Sequence, residues 1–131
     1  MLIVDLVTPK GLFKTLEVDS LTVKLTSGYR TILGGHTPLV GILDYAPMYV
    51  RKNGAQEWYA IHGGAINVTN EKVILICNQI ESANTIDVVR AENAKKRAEE
   101  RLKNKGVNID QKRAELALKR AVARLTAAEK K

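Results

Sequence analysis

The sequence predicts an α+β protein: an N-terminal β-sandwich of about ten short strands, then a C-terminal antiparallel α-helical hairpin. Three observations carry the prediction. Turn-forming residues are confined to the first part, since eight of the nine glycines and all three prolines precede Val68. Beyond residue 84 the apolar residues recur at steps of three and four rather than in short runs. The charge divides along with the pattern. Residues 1–90 carry 8 Lys/Arg against 8 Asp/Glu, whereas the last 41 carry 13 against 6 and so hold the whole net charge of +7.

In the first part, residues 1–84, apolar or alternating runs lie at 2–7, 21–25, 48–50, 57–61, 65–68 and 73–76. Turn signals separate them: Pro9-Lys10-Gly11, Ser27-Gly28, Gly34-Gly35, Gly63-Gly64, Thr69-Asn70 and, strongest, Asn53-Gly54. Asparagine and glycine both tolerate the positive φ of a type I′ turn, so residues 53 and 54 should close a two-residue hairpin. Many short strands at close spacing are the pattern of a sandwich or flattened barrel.

The second part, residues 85–131, reads as two helices. Asn84 or Thr85 is the expected first N-cap, with Asp87 in the first turn, where the helix dipole favours a carboxylate. Val88, Ala91, Ala98 and Leu102 form an apolar stripe, and Asn104-Lys105-Gly106 is the expected stop. Asn108 or Asp110 can cap the second helix, whose stripe is Ala114, Leu118, Ala121, Val122 and Leu125. The seam holds only five larger apolar side chains. At roughly 1.5 to 3 kcal/mol each when buried, they leave the hairpin dependent on the sandwich, a ligand or a partner to hold one conformation.

Composition excludes several classes. With 131 residues, 45% apolar and 27% charged, the chain is neither disordered nor long enough for a large multi-site enzyme. No apolar run approaches the roughly 18 residues that cross a bilayer, and the start lacks the basic opening of a signal or transit segment. The single cysteine, Cys77, lies in an apolar run and reads as a buried thiol. The segment Gly34-Gly35-His36-Thr37-Pro38 lacks the lysine and spacing of a phosphate loop. His36 and His62 are far apart in sequence, and no serine or cysteine nucleophile is placed with a base. No catalytic or metal-ligating residue is expected.

The arginines are the remaining chemistry. At about 100° per residue, Arg90, Arg97 and Arg101 fall on one face of the first helix, and Arg113, Arg120 and Arg124 on one face of the second. Three readings follow. The rows are solvated faces paired with Glu99, Glu100 and Glu115, or they flank an anion site between the helices, or they meet nucleic acid. The last lacks support from stacking residues, because the basic part contains no aromatic side chain.

A neutral β domain followed by a basic, alanine-rich helical hairpin resembles the epsilon subunits of bacterial F-type rotary ATP synthases, over about residues 2–131. The opening V-D-L-V-T-P-K-G, the segment S-G-Y-R-T-I-L-G-G-H-T-P-L and the segment I-H-G-G-A-I-N-V are similar to that family's first strand, its central loop and its G-G strand. The most specific match is I-D-V-V-R-A at residues 86–91, which resembles the motif of ATP-binding members. K-R-A-E-L-A-L-K-R-A-V-A-R-L is similar to the second helix of Bacillus-type proteins. Tyr29, Arg30, Thr31, Gly34 and Asn67 depart from the usual residues of the family pattern.

The resemblance implies a non-catalytic rotor subunit that joins the gamma subunit to the ring of c subunits. In its extended form the hairpin would reach the alpha and beta subunits and restrain ATP hydrolysis. ATP, as a regulatory ligand with no stated magnesium requirement, would stabilise the folded hairpin. The implied ATP contacts are Glu81, Ile86, Asp87, Arg90, Ala91, Arg97, Arg120 and Arg124. The implied contacts to gamma or the c-ring are Tyr29, Arg30, Gly35, His36, Pro38 and Leu39. The expected location is the cytoplasmic face of a bacterial plasma membrane, peripheral and through the complex alone, with no nucleic-acid partner. The alternatives are a purely mechanical rotor subunit and a free-standing basic nucleic-acid module.

Overall fold

The computed structural model describes residues 1–35, 37–104 and 110–130. The expectations for His36, Gly106 and Asn108 lie outside the described residues. Eight strands are present among them: β1 (Leu2–Thr8), β2 (Gly11–Val18), β3 (Ser20–Leu25), β4 (Gly28–Leu33), β5 (Leu39–Lys52), β6 (Ala55–Val68), β7 (Val73–Cys77) and β8 (Ile80–Ser82). They are followed by a 3-10 turn at Ala83–Thr85 and by helices α1 (Val88–Lys103) and α2 (Gln111–Glu129).

The strands follow the order β2-β1-β7-β6-β5-β3-β4, with β8 also paired to β6. All pairings are antiparallel except β1 with β7. Eight rather than ten strands arise because β5 and β6 each run for 14 residues and serve both layers. Residues 64–68 of β6 pair with β7, while residues 59–61 pair with β8. The crossover is at Gly63 and Gly64, with φ of 75° and 140°. A Cβ on Gly64 would lie 2.1 Å from the Ile76 carbonyl oxygen, so only glycine lets β6 pass. At the start of β6, Asn53 and Gly54 take φ of 51° and 80° between paired Lys52 and Ala55, the two-residue turn expected from their sequence.

The sandwich core is aliphatic, built on Leu6, Leu21, Val23, Ile32, Met48, Ile66 and Leu75 with Tyr59 among them. Cys77 belongs to it, and burial pushes its thiol up to about 12, which makes it inert at neutral pH.

Helix α1 starts two to three residues later than the sequence pattern implied, whereas α2 starts at the expected cap Asp110. Asn84 and Thr85 lie in the 3-10 turn, where the Thr85 hydroxyl donates to the Ser82 carbonyl at 2.8 Å. Ile86 is extended, so Asp87 becomes the N-cap of α1 and its Oδ1 accepts the Arg90 amide at 3.1 Å. Asp110 caps α2 in the same way through the Arg113 amide at 3.1 Å.

The seam also differs from expectation. Val88 and Val122 are exposed, and Leu102, Leu118 and Leu125 are half-buried. The buried positions are alanines: Ala91 and Ala98 on α1, and Ala114, Ala121, Ala123 and Ala127 on α2. Side chains ending at Cβ fit where helix backbones come together, and the larger residues are left at the margins. Helix α2 lies against β5 and β6. The contact is a second small cluster of Ala60, Ala83, Ile86 and Ala127, edged by Trp58 and Ala128.

Candidate functional site

Strand β8, which leads into the hairpin, pairs with the part of β6 just before its Gly63–Gly64 crossover. Here the His62 amide donates to the Gln79 carbonyl at 3.1 Å, and Tyr59–Ile61 pair with Ile80–Ser82. This fixes Glu81 on the side of β8 that meets α2. Its Oε1 accepts from His62 Nε2 at 2.9 Å and from Arg124 Nε at 2.7 Å. The His62 hydrogen bond and the Arg124 guanidinium together outweigh partial burial and hold the Glu81 carboxyl at about 2, down from 4.5. Glu81 is therefore an anion at any physiological pH, and acts only as an acceptor.

Beside this ion pair lies a cleft of about 380 Å³ between β8, the 3-10 turn, the first turns of α1 and Arg124 of α2. Its size is within the range of small-ligand sites. Gln79, Glu81 and Thr85 line one side, with Ile86 and Asp87 at the base of α1. Arg90, Ala91, Ala94 and Arg97 line the other, which is one face of that helix because the steps are one, three and three residues. Arg90 and Arg97 are exposed, and among the described residues neither has a carboxylate within ion-pair distance. Glu99, Glu100 and Glu115, the partners of the solvated-face reading, make no ion pair among those residues either. Three guanidinium groups thus face a cleft containing two carboxylates, one of them, Asp87, engaged in capping. Guanidinium groups in this number favour an anion, and Ile86, Ala91 and Ala94 add apolar lining.

Of the eight residues named for ATP, seven line this cleft. Arg120 does not. It is half-buried on α2, one turn before Arg124, which takes the cleft-lining position. Gln79, Thr85 and Ala94 line the cleft without having been foreseen. Ala94 was legible as the helical step after Ala91; Gln79 precedes the short strand β8 and Thr85 lies in the turn after it, a stretch for which the sequence carries no periodic signal. No group of three or more metal-ligating side chains occurs among the described residues.

The partner residues do not converge to the same degree. Gly35 has φ of 77°, Pro38 is exposed, and Leu39 begins β5 and packs on the core. Tyr29 is at the opposite end of β4, roughly 13 Å of strand away, paired with Lys24. It lines a groove with Thr126 and Lys130 of α2, on the hairpin side of the sandwich. Arg30 follows it, exposed and paired with Val23.

Two family models match the sequence in succession, the ATP synthase Delta/Epsilon chain beta-sandwich domain over residues 1–83 and its long alpha-helix domain over residues 84–129. The chain belongs to the ATP synthase delta/epsilon family. It is 44% identical to the ATP synthase epsilon chain of Bacillus cytotoxicus over 93% of this chain and 92% of that one. With the epsilon chain of Bacillus mycoides it shares 40% identity over 98% and 96%. In fold it is similar to a chain of the mitochondrial ATP synthase of Euglena gracilis, with a TM-score of 0.85, 22% identity and coverage of 98% and 81%. Epsilon chains are accessory, non-catalytic subunits of the synthase. No described helix is long and apolar enough to cross a membrane.

Proposed function

We propose that this epsilon chain is a rotor subunit of the central stalk whose hairpin senses ATP. The observation that carries the reading is the placement of Arg90 and Arg97, unpaired among the described residues, across a cleft from the Glu81–Arg124 ion pair. One wall belongs to the sandwich and the other to the hairpin, so a bound nucleotide would bridge them and favour the folded form. In the extended form, the basic hairpin would meet acidic surfaces of the alpha and beta subunits and obstruct rotation in the hydrolysis direction. The complex would sit at the cytoplasmic face of the plasma membrane, with this chain peripheral to it.

Association with gamma is supported by an apolar outer face. Ile42, Ala65 and Ile76 stand side by side on β5, β6 and β7, with Val40 beside them, and all four are exposed. Contiguous exposed apolar groups on an ordered sheet are the property of a partner surface. Contact with the c-ring would fall to the segment that includes Gly35, Pro38 and Leu39.

A purely mechanical role is the second reading, favoured by one observation: the alanine cluster at Ala60, Ala83 and Ala127 docks α2 with protein groups alone. Calorimetric titration of ATP, ADP and GTP into the isolated chain separates the two. Saturable binding selective for ATP supports the sensor, and no heat at millimolar ATP leaves only the mechanical role.

A further inference from the structure

His62 takes no part in the cleft, yet it is the most enclosed polar side chain among the described residues, 1% exposed. It stands on β6 immediately before the Gly63–Gly64 crossover, opposite Tyr45 of β5, whose ring centroid is 6.2 Å away. Its Nδ1 is buried without a hydrogen-bond partner among the described residues. The ring is therefore oriented by one polar contact, Nε2 to Glu81 Oε1 at 2.9 Å. An ionised carboxylate can only accept, so Nε2 carries the hydrogen in the neutral and cationic ring alike.

The same carboxylate oxygen receives Arg124 Nε from α2. An arginine pairing with a partly exposed, freely rotating carboxylate gains little, because the pair must pay for ordering both side chains. Glu81 differs, since a buried donor of the sandwich already holds its oxygen in place, and Arg124 meets a preorganised acceptor. We propose that His62 is a positioning residue of a three-part latch, His62–Glu81–Arg124, that fixes how firmly α2 docks on the sandwich. It touches no ligand. Its effect on nucleotide affinity rests on the ATP reading above, whereas its effect on docking does not.

The test uses the full chain and two substitutions. Gln at position 62 presents an amide N–H near the place of imidazole Nε2, while Leu fills similar volume with no donor. Docking is read from amide hydrogen exchange of α2, sandwich integrity from cooperative unfolding, and affinity from calorimetric titration with ATP. His62→Leu is expected to lower α2 protection and weaken ATP binding by about tenfold, the loss of one charge-assisted hydrogen bond. His62→Gln is expected to retain both. In an Arg124→Ala background, neither substitution should change α2 protection further, because the latch is already open.

Equal protection in His62→Leu and the unsubstituted chain would overturn the proposal, as would losses that follow side-chain volume rather than the donor. Should the leucine variant fail to unfold cooperatively, His62→Asn, whose amide is too short to reach Glu81, replaces it in the comparison with Gln. If α2 protection falls as expected but no variant binds ATP, the latch stands and the nucleotide reading fails. If ATP binds and protection is unmoved, the reverse holds.

Discussion

Lys130 Nζ lies 5.8 Å from the centre of the Trp58 ring, where the end of α2 covers β6. Trp58 also stacks against Tyr49, with centroids 4.5 Å apart, and edges the alanine cluster that joins hairpin to sandwich. It is the single tryptophan of the chain, so its emission reports docking. Truncation after Asn84 is expected to shift that emission to the red and increase its quenching by acrylamide, while β-type circular dichroism and cooperative unfolding persist. Coincident emission from the full and truncated chains would show that α2 does not cover Trp58 in solution.

Acid should open the same contact. The Glu81 carboxyl is held at about 2 in the folded chain against an ordinary 4.5, so its ionised form stabilises the docked state. A depressed carboxylate contributes fully above its unfolded value and loses that contribution as pH falls from about 4.5 toward 2. Trp58 emission followed over this range should therefore move toward that of the truncated chain. Asp5, also lowered through Thr15 and Lys72 on the sandwich, weakens in the same direction, so Glu81→Gln is the control. Its emission should already be shifted at neutral pH and should respond less to acid.

The two arginines of α1 that line the cleft, Arg90 and Arg97, separate affinity from stability. Each is exposed and without an ion-pair partner among the described residues, so its removal costs the fold little, within about 0.5 kcal/mol as for other surface positions. A lost guanidinium–phosphate contact is larger, about 1.5 to 3 kcal/mol. Arg90→Ala and Arg97→Ala should each weaken ATP binding about tenfold or more with the thermal midpoint nearly unchanged. Calorimetric titrations identical to that of the parent chain for both variants would remove α1 from the site.

Asp87 has two roles that substitution can divide. As N-cap it accepts the Arg90 amide, and as a cleft residue it adds negative charge. Asparagine caps about as well as aspartate, whereas alanine costs about 0.5 to 2 kcal/mol. Asp87→Asn should keep α1 helical, as measured by circular dichroism, and any change in nucleotide selectivity then belongs to the lost charge. Asp87→Ala should lose helix content and affinity together.

These residues also mark what the sequence could convey. The change of period near residue 84, the Asn53-Gly54 turn and the alanine stripes follow from local stereochemistry, and each is present in the fold. The arginine rows were visible as helical faces. What local pattern could not convey was what the β6 crossover sets: that Gly63 and Gly64 let one strand serve two layers, and that His62 and Glu81 meet across 19 residues; nor did it tell that Arg120, named with Arg124, stays out of the cleft. The first N-cap was misplaced because Ile86 takes an extended conformation between the 3-10 turn and α1, and nothing in the residue types marks Asp87 over Asn84 or Thr85 as the cap. The buried seam was overestimated in size because leucine and valine at helical spacing flank the contact while alanine makes it.

The last expectation concerns the assembled enzyme. If ATP binds only the folded hairpin, it shifts the population away from the extended form by RT ln(1 + [ATP]/Kd), which is about 2.7 kcal/mol at a hundredfold excess over Kd. That is roughly a hundredfold change in the ratio of conformers. Inhibition by the hairpin should therefore be strongest when ATP is scarce. Complexes assembled with the chain truncated after Asn84 are expected to hydrolyse ATP faster than intact complexes at low ATP, with the two rates converging as ATP rises. Proton pumping should survive the truncation, because the apolar face at Ile42, Ala65 and Ile76 lies on the sandwich and remains intact. Arg90→Ala supplies the internal control: by weakening the folded state's ligand, it should extend inhibition to higher ATP. Hydrolysis rates that coincide for intact and truncated complexes at every ATP concentration would reject the inhibitory role and leave the chain as a mechanical coupling.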